Sequence, residues 1–140
     1  MLEKENEKMK RILYLIFALC LLSGCGAAES QKEEEPSYRQ ISMEEAVRMM
    51  EEEEGYLILD VRTEAEFAEE HIPGAVCIPN ETIGTEEISG LPDKDQLILV
   101  DCRSGNRSKQ AARKLADLGY TGIVEFGGIL DWPGETVSGG

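Results

Sequence analysis

An α/β fold with a central, mostly parallel sheet flanked by helices is predicted by three features of this sequence. Short apolar runs, YLILDV (Tyr56–Val61), LILV (Leu97–Val100) and Ile123–Phe126, largely lack the polar alternation of a half-exposed strand, which suits strands buried on both faces. Stretches with apolar residues at helical spacing separate them, and strands that alternate with helices favour parallel pairing. Two S/T-x-x-E segments, Ser42–Glu45 and Thr63–Glu66, carry the capping-box spacing that opens a helix.

In chain order, Ser42 starts a helix whose apolar face is Met43, Ala46, Val47 and Met50, and Gly55 stops it. Tyr56–Val61 is the first strand, and Thr63 opens a short helix. Ile72-Pro73-Gly74 breaks the chain before a second strand, Ala75–Ile78, which Pro79 ends. Residues 80–96 are polar and turn-rich, with a weak helix expected over Thr85–Ser89. After the third strand, Leu97–Val100, a helix beginning at Ser108 presents Ala111, Ala112, Leu115 and Leu118 on one stripe. Gly119 fits its left-handed stop. A fourth strand leads to Gly127-Gly128 and a small tail around Trp132.

At 140 residues the chain has room for one domain. Residues 1–24 read as an export signal. Lys8, Lys10 and Arg11 precede an eleven-residue apolar run, Ile12–Leu22, followed by Ser23-Gly24-Cys25. That run is shorter than the roughly 20 residues a bilayer span requires. Met1–Glu7 is acidic for such a signal, and Met9 is a second candidate start. Leu22–Cys25 (LSGC) resembles the lipobox of bacterial lipoproteins. The resemblance implies cleavage before Cys25, a diacylglycerol on its sulfur, and a protein held at the outer side of the cell membrane. An ordinary secretory signal cut near Ala27-Ala28, or an uncleaved anchor, are the alternatives. Residues 25–38 are small, polar and acidic and read as a disordered spacer, and the domain runs over 39–137.

Without residues 1–24 the chain keeps 10 basic and 25 acidic residues, a net charge of 10 − 25 = −15. Such a surface repels nucleic acid, which excludes a nucleic-acid-binding role. Half of those ten cations, Arg103, Arg107, Lys109, Arg113 and Lys114, fall within twelve residues. An electropositive island in an acidic chain suits a small anion, although Lys109, Arg113 and Lys114 also fit a solvated helix face. Of four cysteines, Cys20 leaves with the signal and Cys25 is the lipidation candidate, which leaves Cys77 and Cys102 in the domain. With one histidine and no paired Cys/His spacing, nothing points to a metal or other bound cofactor.

The chemistry concentrates in CRSGNRS, Cys102–Ser108. The order is strand, tight loop, helix, and ligands of open parallel sheets collect at the carboxyl ends of strands. The first turn of the following helix leaves amides without intrahelical partners and favours negative charge. Gly105 lets the backbone curl so that successive N–H groups of Arg103, Ser104, Gly105, Asn106 and Arg107 can form an anion nest. A cysteine at its mouth is pushed toward thiolate, Asn106 and Ser108 add side-chain donors, and Arg107 adds a fixed charge and a bidentate fork. The flanking polar residues predict an exposed thiol rather than a buried structural one. Cysteine phosphatases place five residues between Cys and Arg, whereas here four separate Cys102 from Arg107. The smaller ring suits one extra atom on sulfur better than a tetrahedral phosphate or arsenate.

Over most of residues 41–134 the sequence resembles the single-domain rhodanese-like sulfurtransferases. The resemblance rests on four blocks in order: LDVR (Leu59–Arg62) with Glu66-Phe67, HIPGA (His71–Ala75) leading to IPN, CRSGNRS, and FGGILDW (Phe126–Trp132). It implies that Cys102 takes a sulfane sulfur from a donor such as thiosulfate and passes it to cyanide, a thiol or another acceptor. The covalent persulfide takes the place of a cofactor, and the protein acts as a monomer. It further implies that Arg103 steers the anionic donor at the rim, that Arg107 holds the loop or the donor, and that Asp60 and Arg62 brace the loop. Two positions depart from the family pattern: Asp101 stands where an aromatic or apolar residue is frequent, and Glu70 stands where glycine is. Strand alternation turns Asp101 away from Cys102. His71 is expected to hold its turn, and Cys77 to pack in the core rather than resolve a persulfide. A phosphatase, an arsenate reductase, or a non-enzymatic persulfide carrier or redox sensor are the competing functions.

Overall fold

The computed structural model describes residues 37–84 and 87–140. The export signal, Cys25 and residues 25–36 of the spacer lie outside the described residues, as do Thr85 and Glu86. Five strands form one sheet in the order β1-β5-β4-β2-β3, all neighbours parallel: β1 Arg39–Gln40, β2 Leu57–Asp60, β3 Val76–Cys77, β4 Ile98–Cys102 and β5 Ile123–Gly128. Among the described residues three α-helices complete the α/β arrangement, α1 Met43–Glu52, α2 Glu64–Glu69 and α3 Asn106–Asp117.

The expected caps form. Ser42 Oγ accepts the amide of Glu45 at 3.2 Å, and Glu45 Oε2 accepts that of Ser42 at 3.0 Å. Thr63 and Glu66 repeat this reciprocal pair at 3.2 and 3.0 Å at the start of α2. Gly119 adopts φ 94° just past α3, which closes the helix as its position predicts.

The strands alternate between two apolar layers. Ile58, Leu99 and Val124 face one side, where Ala46 of α1 with Phe126 and Ile129 completes a cluster. Leu59, Val61, Val100, Cys102 and Ile123 face the other, under Ala111, Ala112 and Leu115 of α3. β4 lies third in the order of five, and all of its residues are buried. Its carboxyl end is therefore enclosed by neighbours in the sheet and by layers above and below.

Three local expectations are corrected. Arg39–Gln40 pairs with Val124 and Glu125 as an edge strand, although its exposed polar residues carry no strand signal. The second strand shrinks to Val76–Cys77. Glu87–Ser89 is not helical; the turn-rich segment instead opens with a 3-10 turn, Asn80–Thr82. Pro79 precedes that turn, and Thr82 Oγ1 donates to the Pro79 carbonyl at 2.8 Å, a local side-chain bond that competes with a regular helix. Lys114 also departs from a solvated role, because Nζ donates to the Asn80 carbonyl at 2.9 Å and ties the 3-10 turn to α3.

Candidate active site

Cys102 is the last residue of β4, and α3 begins at Asn106, so Arg103, Ser104 and Gly105 alone span from sheet to helix. So short a connection requires an unusual backbone, and Gly105 supplies it with φ 107°. Its amide donates to Cys102 Sγ at 3.0 Å, and the Ser108 hydroxyl oxygen lies 3.5 Å from the same sulfur. The loop folds over the thiol, and Cys102 is only 1% exposed. This corrects the expectation of an exposed thiol. Arg103, Ser104 and Asn106 do face water, but the Cys102 side chain continues the strand's alternation into the α3 layer.

The floor of the loop is built by β5. Beyond Val100↔Glu125, the register slips so that Cys102 pairs with Gly128. A β-carbon on Gly128 would lie 2.0 Å from the Arg103 carbonyl oxygen and 2.6 Å from the Ser104 amide nitrogen. Only glycine lets the strand approach the loop backbone this closely. Glu125 is 3% exposed, and its Oε1 accepts the Ser108 hydroxyl at 2.6 Å and the Gly127 amide at 2.9 Å. Glu125 was absent from the candidate site; a lone carboxylate within the apolar run Ile123–Phe126 was the available signal.

Arg103, Ser104 and Asn106 are exposed at the rim. Arg107 turns toward α2, where its two terminal nitrogens meet the two carboxylate oxygens of Glu66 at 2.8 and 2.9 Å. Paired with this guanidinium, and capped by the Thr63 amide, the Glu66 carboxyl is held far below the usual range. The fork that the sequence left free for an anion thus bolts α3 to α2, and Glu66 serves both the cap and the bolt.

Behind the sheet, Asp60 and Arg62 form a buried ion pair at 2.7 Å, and Arg62 Nη2 also donates to the Glu70 carbonyl at 2.7 Å. Their hydrogen bonds hold the β2–α2 turn to itself and to the end of α2, whereas Glu66–Arg107 ties α2 to α3. Asp60 neighbours Asp101 in register on one side and Cys77 on the other. Both carboxylate oxygens of Asp101 are buried without a hydrogen-bond partner among the described residues. Burial, reinforced by the adjacent Asp60 charge, raises its carboxyl well above the ordinary range. Burial and Asp60 push the Cys77 thiol up to about 11. Cys77 lies on the Asp60 face of the sheet, opposite the layer that receives Cys102. His71 Nδ1 is 2.8 Å from the Phe67 carbonyl and its ring stacks on Phe67 at 3.7 Å, the turn-holding role expected of it.

A parallel α/β sheet thus ends its central strand in a cysteine wrapped by a three-residue loop and an arginine-bearing helix. The model of the rhodanese-like domain matches residues 42–135, and the chain belongs to that family. It is 34% identical over 73 residues to the thiosulfate sulfurtransferase PspE of Escherichia coli strain K12, covering 52% of this chain and 70% of that one. It is 33% identical over 109 residues to the putative sulfur carrier protein YrkF of Bacillus subtilis strain 168, covering 77% of this chain and 58% of that one. Among solved structures, an E. coli rhodanese with anions superposes with a TM-score of 0.54 at 36% identity, over 60% of this chain and 99% of that one.

Proposed function

We propose that this protein is a sulfurtransferase that carries a sulfane sulfur on Cys102. The observation that supports this reading best is the Gly105 amide donating to Cys102 Sγ at 3.0 Å inside a loop whose rim is cationic. With thiosulfate as donor, the Cys102 thiolate attacks the outer sulfur, a new S–S bond forms, and the bond to the sulfonate sulfur breaks with its electron pair leaving as sulfite. The persulfide anion then occupies the space under the loop amides, which offer hydrogen bonds to an anion. Cyanide or a thiolate attacks the terminal sulfur, and the Cys102 thiolate departs with the electron pair. Splitting the transfer into two displacements requires ping-pong kinetics. Arg103, exposed at the rim, draws in the anionic donor. The competing reading, a carrier that loads sulfur without turning it over, shares the first displacement and draws support from the name of the Bacillus relative.

The test is an intact-mass measurement on the reduced full-length chain after thiosulfate and again after cyanide, beside Cys102→Ser. Gain of one sulfur, lost to cyanide as thiocyanate and absent from the variant, is the expected result. A sulfur that cyanide leaves in place selects the carrier, and no gain from thiosulfate or polysulfide overturns both readings.

For the amino-terminal segment we propose lipidation at Cys25 and residence at the outer side of the cell membrane. Labelled fatty acid incorporated by the wild type in bacterial cells, and lost in Cys25→Ser, is expected; equal labelling of both refutes it.

A further inference from the structure

The Ser108 hydroxyl owns one hydrogen and has four neighbours. Glu125 Oε1 lies at 2.6 Å, the Gly105 carbonyl at 2.9 Å, the Gly127 carbonyl at 3.3 Å and Cys102 Sγ at 3.5 Å. A hydroxyl donates once and accepts twice. The two carbonyls can only accept, and the sulfur can do either, as thiol or as anion. Glu125 makes the shortest of the four contacts, and its Oε1 is pinned by the Gly127 amide at 2.9 Å.

We propose that Glu125 is a positioning residue that captures the Ser108 hydrogen, so that Ser108 meets Cys102 as an acceptor from the thiol instead of a donor to its anion. The inference rests on Cys102 being the reacting group. Its consequence is that the loop presents the sulfur with the Gly105 amide but withholds the nearest hydroxyl. Glu125 therefore sets how readily sulfur carries negative charge here, as thiolate or as persulfide. The charged groups around Cys102 are Arg103 of the loop, Arg107 of α3 with its partner Glu66 of α2, Glu125 of β5, and Asp101, which β4 turns to the opposite face. Of these, Glu125 is the one bonded to a group that touches the sulfur.

The test follows thiolate formation at Cys102 by ultraviolet absorbance against pH in the full chain, subtracting the matching Cys102→Ser protein so that the other thiols cancel. Circular dichroism confirms folding. Glu125→Leu, which removes the acceptor, is expected to move the midpoint down by about one pH unit, a tenfold change. Glu125→Gln, which keeps an acceptor, moves it much less, and neither moves it when Ser108 is alanine. Equal shifts from Leu and Gln that survive Ser108→Ala show a through-space charge effect and overturn the proposal. So does a folded Glu125→Leu without a shift. Ser108→Ala alone supplies an arm that leaves Glu125 in place. The proposal requires that the midpoint stay or fall; a rise of about one pH unit shows that Ser108 was donating to the anion and refutes it. No sulfur donor enters the measurement, so a failed thiosulfate test leaves this result standing by itself.

Discussion

Asp101 and Cys102 are consecutive residues of one strand, yet their side chains occupy opposite chemical worlds. Cys102 points into the α3 layer, where the Gly105 amide and the Ser108 hydroxyl meet its sulfur. Asp101 points behind the sheet beside Asp60, with no hydrogen-bond partner for either oxygen among the described residues. One step of the pleat separates a sulfur that meets two polar groups from a carboxyl that burial penalises. The two domain cysteines repeat the contrast. Cys77, on the Asp60 side, is pushed up to about 11 and stays a thiol at neutral pH. Burial alone thus says little about a cysteine; the donors aimed at its sulfur decide what it can do.

The strongest way to break the contrast is Gly128→Ala. The added methyl meets the Arg103 carbonyl at 2.0 Å, so the loop backbone must move away from the sulfur. Sulfur uptake by Cys102 is expected to fall about a hundredfold, with about 3 kcal/mol of stability lost, read by mass kinetics and by urea unfolding. Unchanged uptake would show that the loop geometry on the Cys102 side is dispensable.

A smaller effect is expected behind the sheet. Asp101 keeps its proton in the folded chain at pH values where the unfolded chain has lost it, so the folded state binds more protons. Stability must then fall as pH rises above the ordinary aspartate value of 3.8, by up to about 1.4 kcal/mol per pH unit until the folded carboxyl also ionises. Asp101→Asn removes that slope, and its stability relative to the wild type is expected to climb as pH rises above 3.8. Parallel slopes in the two proteins would mean that Asp101 is ionised in the folded chain as it is in the unfolded one, and that the two faces do not differ.

Glu66→Gln sharpens the comparison on the loop side. Glutamine can keep the cap on Thr63 but loses the charge on Arg107, at a cost of about 1 kcal/mol near neutral pH. Because the folded carboxyl is depressed, this advantage of the wild type is complete above the ordinary glutamate value of 4.5 and fades as pH falls below it. Denaturant midpoints at pH 7 and pH 3 measure it, and a difference that is equal at both pH values would contradict the ion pair. The smallest effect belongs to Cys77→Ser, which is expected to leave sulfur transfer unchanged. Alkylation of Cys77 should become fast only as pH approaches 11. Rapid labelling of Cys77 near neutral pH would contradict its raised value.

Much of this was legible before any coordinates. Both capping boxes, the glycine stop of α3, the buried strands and the strand-loop-helix order around Cys102 follow from local rules that act within a few residues. The edge strand Arg39–Gln40 was not legible, because its pairing depends on what β5 offers and not on its own side chains. Neither was the 3-10 turn at Asn80–Thr82, which is held from outside by Lys114. Arg107 shows the same limit at the site: its charge and position next to the loop could be read, but its partner Glu66 lies 41 residues away.

The sequence by itself determined that a thiol would stand at a strand end before a glycine-curled loop and a helix start, because backbone preferences and terminal amides are local properties. Only the tertiary structure decided that this thiol is buried, that Glu125 and Gly128 form its floor, and that Asp101 is buried beside Asp60. Those outcomes depend on which strands lie side by side, and on a slip of register between β4 and β5 that brings Gly128 opposite Cys102. Local chemistry chose the residues, and the meeting of distant strands gave them their neighbours.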